Sequence, residues 1–293
     1  MTPALDAHHH LWRYTREEYG WIDDSMSALQ RDFLLAELES VTASAGIDGT
    51  VVVQARQTVE ETRWLLEIAR CSSLVRGVVG WCDIAGAGFS GELDSLAVES
   101  KLVGLRHVVQ AEPQGFLDAP EFNRGVRAMQ GTGLVYDLLI VERQLEEATR
   151  FVDRHPGQVF VLDHIAKPRI AAGEIEPWKT RLAELARRPN VWCKLSGMVT
   201  EADWKSWTAE DLAPYFDAVV EAFGPGRLMA GSDWPVCLAA CSYARWWELL
   251  RQQFSSYSET EMSAIFGGCA AEVYGLEVTG QGPPASFQRF PKW

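Results

Sequence analysis

Short apolar runs rich in β-branched residues recur along the chain, at Ala4–His8, Thr50–Gln54, Gly77–Cys82, Leu102–His107, Leu134–Ile140, Val159–His164, Val191–Leu195 and Arg227–Ser232. Each has the length and composition of a buried strand. The stretches between them carry a helical period instead. In residues 60–71 the apolar set Trp64, Leu65 and Ile68 gathers on one face, while Glu60, Glu61 and Arg63 stay polar. Residues 142–157 place Leu145, Ala148, Phe151 and Val152 alike and stop at Pro156-Gly157, and a third segment opens at Pro177 and closes at Pro189.

Eight strands apolar on both faces, separated by amphipathic helices, predict a parallel sheet covered by helices. That number in one chain fits an α/β fold of the (β/α)8 TIM-barrel type, whose usual size is about 250 residues. A doubly wound open sheet would want a glycine-rich phosphate loop after an early strand, and neither GxGxxG nor GxxxxGK[ST] occurs. A single domain over residues 1–278 is expected, followed by an irregular tail at 279–293.

Composition narrows the partners. The 293 residues carry a net charge of -13, with 47% hydrophobic and 23% charged residues. Such a surface repels nucleic acid and anionic membranes but leaves a small-molecule substrate open. No run approaches the roughly 18 apolar residues of a membrane span, and the chain enters "PALDAHHH" without a leader pattern. The six cysteines are scattered with no CxxC pair, and Cys237 and Cys241 share a helical face without further ligands nearby. A reducing cytoplasm is the expected location.

Candidate chemistry collects where a barrel would put it, at the C-terminal ends of the strands. In "LDAHHHLWRY" alternation sets His8 and His10 on one side and His9 on the other. The second strand ends in Gln54 and Arg56, the third in Trp81 and Asp83, the fourth in Arg106 and His107, the sixth in Asp163 and His164, and the eighth in Asp233. Tyr136 and Asp137 lie within the fifth; Lys194 and Ser196 belong to the seventh, where Lys194 interrupts an apolar run. Five of the six histidines stand at strand ends, which points to an enzyme.

Blander roles compete for several of them. His9 reads as a packed histidine, His155 as a surface one, and Asp163 as a structural acceptor facing away from His164. Asp6 is expected on the side of His8 but deeper. His107 either braces the barrel top or meets substrate, and Lys167 is either solvated or a substrate contact. The aromatics Trp12, Tyr14, Tyr19 and Trp21 after the first strand either stack on a sugar ring or hold down their own loop.

Taken in order, "LDAHHHLW", "GLRHVVQ", "VLDHIAKP", "CKLSGMVTEADW" and "RLMAGSDWPV" resemble the amidohydrolase superfamily, and within it the amidohydrolase-2 branch of sugar lactonases, L-fuconolactonase-type enzymes above all. The resemblance spans essentially the whole chain. It implies a carboxylic-ester hydrolase that opens a sugar lactone, with His8, His10, His164 and Asp233 as catalytic residues. Binuclear members place a carboxylated lysine after strand 4 and a histidine after strand 5; here His107 takes the first position and the second has no histidine. The resemblance therefore implies at most one divalent ion, zinc by ligand type, on some of His8, His10, His164 and Asp233; alternatively, the same histidines act as donors without an obligatory metal. Arg56, Arg106, His107, Tyr136, Lys194, Trp12 and Trp21 are the expected substrate contacts, and no organic cofactor is implied. Few cations facing a cavity favour a neutral polyhydroxy lactone. A pyrone-dicarboxylate lactone, a decarboxylation, and a non-enzymatic sugar-binding barrel are the alternatives.

Overall fold

A computed structural model describes residues 2–277; the proposed boundary at 278 and the tail at 279–293 lie outside the described residues. Eight strands form one parallel sheet in sequence order: β1 (Leu5–His9), β2 (Gly49–Val53), β3 (Val75–Gly80), β4 (Leu102–His107), β5 (Val135–Leu138), β6 (Phe160–Leu162), β7 (Val191–Leu195) and β8 (Leu228–Ala230). The ring closes just beyond the last strand. Asp233 N donates to His8 O at 2.7 Å and His10 N to Trp234 O at 2.6 Å. All eight runs predicted from the sequence are strands of this barrel, although β6 ends two residues before His164.

The helices α1 (Leu35–Ala45), α2 (Val59–Cys71), α3 (Phe89–Ala97), α4 (Pro120–Met129), α5 (Leu145–Asp153), α6 (Trp178–Ala186), α7 (Ala209–Phe223) and α8 (Tyr243–Gln253) each follow one strand. Short α9 (Glu259–Ser263) and α10 (Cys269–Tyr274) come last. Local chemistry sets their ends. The Thr58 hydroxyl accepts from Glu61 N at the start of α2, and Thr208 with Asp211 caps α7 in the same way. Leu65, Leu66 and Ala69 then form the buried face of α2.

Two apolar layers result. Ala7, Val51, Val53, Val79, Val161 and Met229 fill the barrel, and Cys269, Ala270 and Tyr274 of α10 pack onto that cluster from the end opposite the site. The outer layer, between strands and helices, includes Leu38, Leu65, Phe122, Phe151 and Trp246. Among the described residues no helix is long and apolar enough to cross a membrane.

One irregularity positions the site. Asp6 pairs with Thr50 and His9 with Val52, so three steps on β1 oppose two on β2. The bulge lets Ala7 and His8 both reach the interior. It also corrects the expected side of Asp6, which meets Ser232 Oγ at 2.6 Å and the hydroxyl of Tyr243, on α8, at 3.0 Å.

Candidate active site

His8 and His10 emerge from β1 with their Nε2 atoms 3.3 Å apart. The Nδ1 of His10 faces the Val53 carbonyl at 2.8 Å; a carbonyl only accepts, so Nδ1 carries the proton and Nε2 presents a lone pair. Arg106 Nη1 lies 3.4 Å from His8 Nε2, and Asp163 Oδ1 lies 3.3 Å from His8 Nδ1. The Arg106 donor marks Nε2 as the lone-pair side, while Nδ1 lies between the Asp163 carboxylate and the Lys194 ammonium, the latter 3.2 Å away. His9 turns away to Thr50 Oγ1 at 2.9 Å and is fully buried, a packed histidine.

The third histidine arrives by a different route. From His164 to Lys167 four successive non-glycine residues hold positive φ, at 52°, 50°, 61° and 49°. Left-handed backbone costs L-residues roughly 1–2 kcal/mol each, so the surroundings must impose it. Trp178 Nε1 donates to Ile165 O at 2.7 Å, Ile165 and Ala166 are fully buried, and His164 Nδ1 meets Ser196 Oγ at 2.9 Å. Gly197, itself at φ 66°, lies so close that a Cβ there would come within 2.6 Å of His164 Nδ1.

This turn overturns the expected placement of Asp163. Both Asp163 and His164 face the barrel, because the chain leaves strand geometry between them. Asp163 receives Lys194 Nζ at 3.0 Å and Arg106 Nη1 at 3.0 Å. Lys194 also pairs with Asp137, to which the Tyr274 hydroxyl donates at 2.8 Å. A chain of buried polar groups therefore runs from α10 to His8.

Above it, Asp233 completes a cup. Its Oδ1 lies 3.3 Å from His10 Nε2, 3.8 Å from His8 Nε2 and 3.9 Å from His164 Nε2. Burial drives the imidazoles toward the neutral form, His164 to about 4 and His8 well below its ordinary value. Burial pushes the Asp233 carboxyl up, but His164, His10 and His8 outweigh it and hold it below the usual carboxylate range. Burial alone thus does not make Asp233 a stronger base. Lone pairs from His8 and His10 converge with a carboxylate oxygen, a mutually repulsive set that a cation would relieve. Two overlapping groups have ligand atoms close enough to share an ion, His8 with His10 and Asp233, and His8 with Asp163 and His164. Two imidazoles and a carboxylate suit a borderline ion such as zinc.

The remaining expected contacts divide. Arg56 and Trp21 stand at the mouth: Arg56 pairs with Glu18 at 2.9 Å over the Tyr19 ring, and Trp21 is 43% exposed against the edge of Trp12. Arg106 is buried beside His8. Three expectations are corrected by burial. Tyr136 is enclosed among Phe122, Phe151 and Phe160, because on β5 it is Asp137 that points inward. Trp12 is fully buried, its Nε1 donating to Arg31 O, and holds its own loop. Lys194 is fully buried beneath His8. His107 accepts from Trp81 Nε1 at 3.3 Å and donates to Glu112 at 2.8 Å, so both nitrogens are engaged in bracing. His155, expected on the surface, is fully buried and bonded to Asn123 Oδ1 at 2.8 Å.

Sequence reasoning gave no role to Asp137, Gly197 or Glu201. The first had a signal: opposite charges inside two otherwise apolar strands, Asp137 and Lys194, want each other as partners. The other two depend on a turn that the residues His-Ile-Ala-Lys do not announce.

The family model described as amidohydrolase matches residues 5–276. The chain is 41% identical to an L-fucono-1,5-lactonase of Burkholderia multivorans over 93% of its own length and 96% of that protein's. It is 37% identical to an L-fucono-1,5-lactonase of Burkholderia ambifaria, covering 94% and 97%. A crystal structure of an amidohydrolase from Burkholderia multivorans with bound zinc superposes with a TM-score of 0.90 at 40% identity, covering 94% of this chain and all of that one.

Proposed function

The chain belongs to the amidohydrolase family, and from that premise we propose that it is a lactonase opening the ring of a sugar lactone of the L-fuconolactone type. The observation that carries this reading is the convergence of His8, His10, His164 and Asp233 at the C-terminal mouth of the barrel, in a chain so close to two L-fucono-1,5-lactonases. Water adds to the lactone carbonyl, the ring C–O bond breaks, and a hydroxy acid leaves. The Asp233 carboxylate, ionised at neutral pH, takes the proton of the attacking water and returns it to the ring oxygen.

His8, His10 and His164, through Nε2, and an Asp233 oxygen would hold a divalent ion, zinc by preference. When bound it acidifies water and polarises the carbonyl, which offsets the weak basicity of Asp233. The zinc in the Burkholderia multivorans structure supports that assignment. Arg56 and Trp21 are assigned to hydroxyls and a ring face of the sugar. The free thiols suit a reducing compartment, the cytoplasm.

A pH-indicator assay across a panel of aldonolactones, with and without chelator, tests the reading. Opening of at least one lactone above its spontaneous rate is expected, lowered by chelation. Asp233→Asn is expected to cost roughly 10³-fold in kcat. Failure to open any lactone would sink the function; full activity after thorough metal removal would sink only the metal.

A further inference from the structure

The left-handed turn that delivers His164 also delivers Lys167. In a single helical turn, residues three apart return to one face, and Lys167 follows His164 by three. Its ammonium lies 3.6 Å from Glu201 Oε1, with the two side chains 21% and 28% exposed. Beyond hydrogen-bond distance, this contact leaves donors and acceptors open. Neither side chain makes a hydrogen bond among the described residues.

Both groups are rigidly placed. Lys167 N donates to His164 O at 2.8 Å, Glu201 N to Met198 O at 3.2 Å, and Glu201 O accepts from Ala171 N at 2.9 Å. The loop carrying Glu201 is the one whose Ser196 and Gly197 seat the His164 ring. The pair sits on the two segments that meet at the His164 ring, Lys167 on the turn that carries it and Glu201 on the loop of Ser196 and Gly197. Burial disfavours ionisation of Glu201, Lys167 beside it favours the carboxylate, and the Asp233 and Glu142 charges oppose it.

We propose that Lys167 and Glu201 form the specificity-determining subsite of the lactonase, bridging one ring hydroxyl of the sugar, which accepts from Nζ and donates to Oε1. A hydroxyl oxygen at about 2.8 Å from each closes a triangle on a 3.6 Å base, so neither group has to move. A neutral polyhydroxy lactone supplies such a group; a planar dicarboxylate, with acceptors only, would be repelled by Glu201. The inference rests on the lactonase reading.

The test compares the parent, Lys167→Met, Glu201→Gln and Lys167→Arg on the best aldonolactone and its monodeoxy analogues, recording kcat, KM, zinc content and thermal unfolding. Each of the first two variants is expected to raise KM roughly tenfold or more, with kcat within about threefold and zinc content unchanged; Lys167→Arg recovers part of the loss. For one deoxy analogue the parent suffers a comparable loss and the variants lose nothing further. Glu201→Gln, nearly isosteric, carries the test should Lys167→Met not fold. Equal variant penalties on every analogue would overturn the subsite while leaving the lactonase intact. A parent that opens no lactone overturns the functional reading and the subsite with it.

Discussion

Asp6 on β1 and Asp163 after β6 are both fully buried and each lies within two residues of a histidine of the cup, yet they ionise in opposite directions. Burial pushes the Asp6 carboxyl up to about 6 against donors that are all neutral: Ser232 N and Oγ, Tyr243 OH and His8 N. The same burial acts on Asp163, but the Lys194 ammonium, His8 and the Arg106 guanidinium more than offset it. Depth alone therefore does not set the charge of a buried carboxyl. At Asp163, Lys194, His8 and Arg106 act together. At Asp137 the contact with Lys194 does not outweigh burial, and the carboxyl stays raised, to about 6. Neutral hydrogen bonds only moderate the cost.

The largest test of this contrast removes the anion between two cations. Asp163→Ala is expected to destabilise the protein by about 3–5 kcal/mol in chemical denaturation at neutral pH, as expected when one partner of a buried ion pair is lost. A loss under about 1 kcal/mol would show that Asp137 and solvent suffice for Lys194 and Arg106. The second test is the pH profile. Between about pH 4 and 6 the unfolded chain releases the Asp6 proton while the folded one keeps it, so this group's contribution falls as pH rises, by on the order of 3 kcal/mol. Asp163 runs the other way: its contribution is present above pH 4 and is lost as acid titrates it. Urea midpoints should therefore decline less from pH 4 to 6 in Asp6→Asn than in the parent; parallel curves would refute the assignment.

The smallest effect sharpens the comparison at the backbone. Ala166→Gly relieves left-handed strain and is expected to stabilise by about 1 kcal/mol, whereas Ala7→Gly in extended β1 should destabilise by about 0.5–1 kcal/mol. The same substitution with opposite signs, read by thermal unfolding, distinguishes the two routes into the cup. Equal signs would mean that packing, not φ, governs the turn.

Those two routes also explain what was legible in the sequence. Alternation read His8, His9 and His10 correctly because extended backbone carries a period of two. It misplaced Asp6 by one bulge and Asp163 by one left-handed turn, since neither irregularity has a glycine or asparagine to mark it. The eight strands were legible because buried parallel strands are apolar on both faces. Tyr136 and Trp12 were not, since an aromatic with a polar tip looks alike whether it faces a cavity or the helix layer.

The thread Tyr274–Asp137–Lys194–His8 has a consequence for engineering. In barrels of this kind the two ends usually divide labour, chemistry at one and durability at the other, so designers exchange mouth loops and leave the floor alone. Here the floor helix is bonded into the support of the first histidine. Transplanting the mouth onto another barrel would leave Lys194 and Asp137 behind unless the closing helix travels with it, and truncation before Leu276 would be felt at the cup.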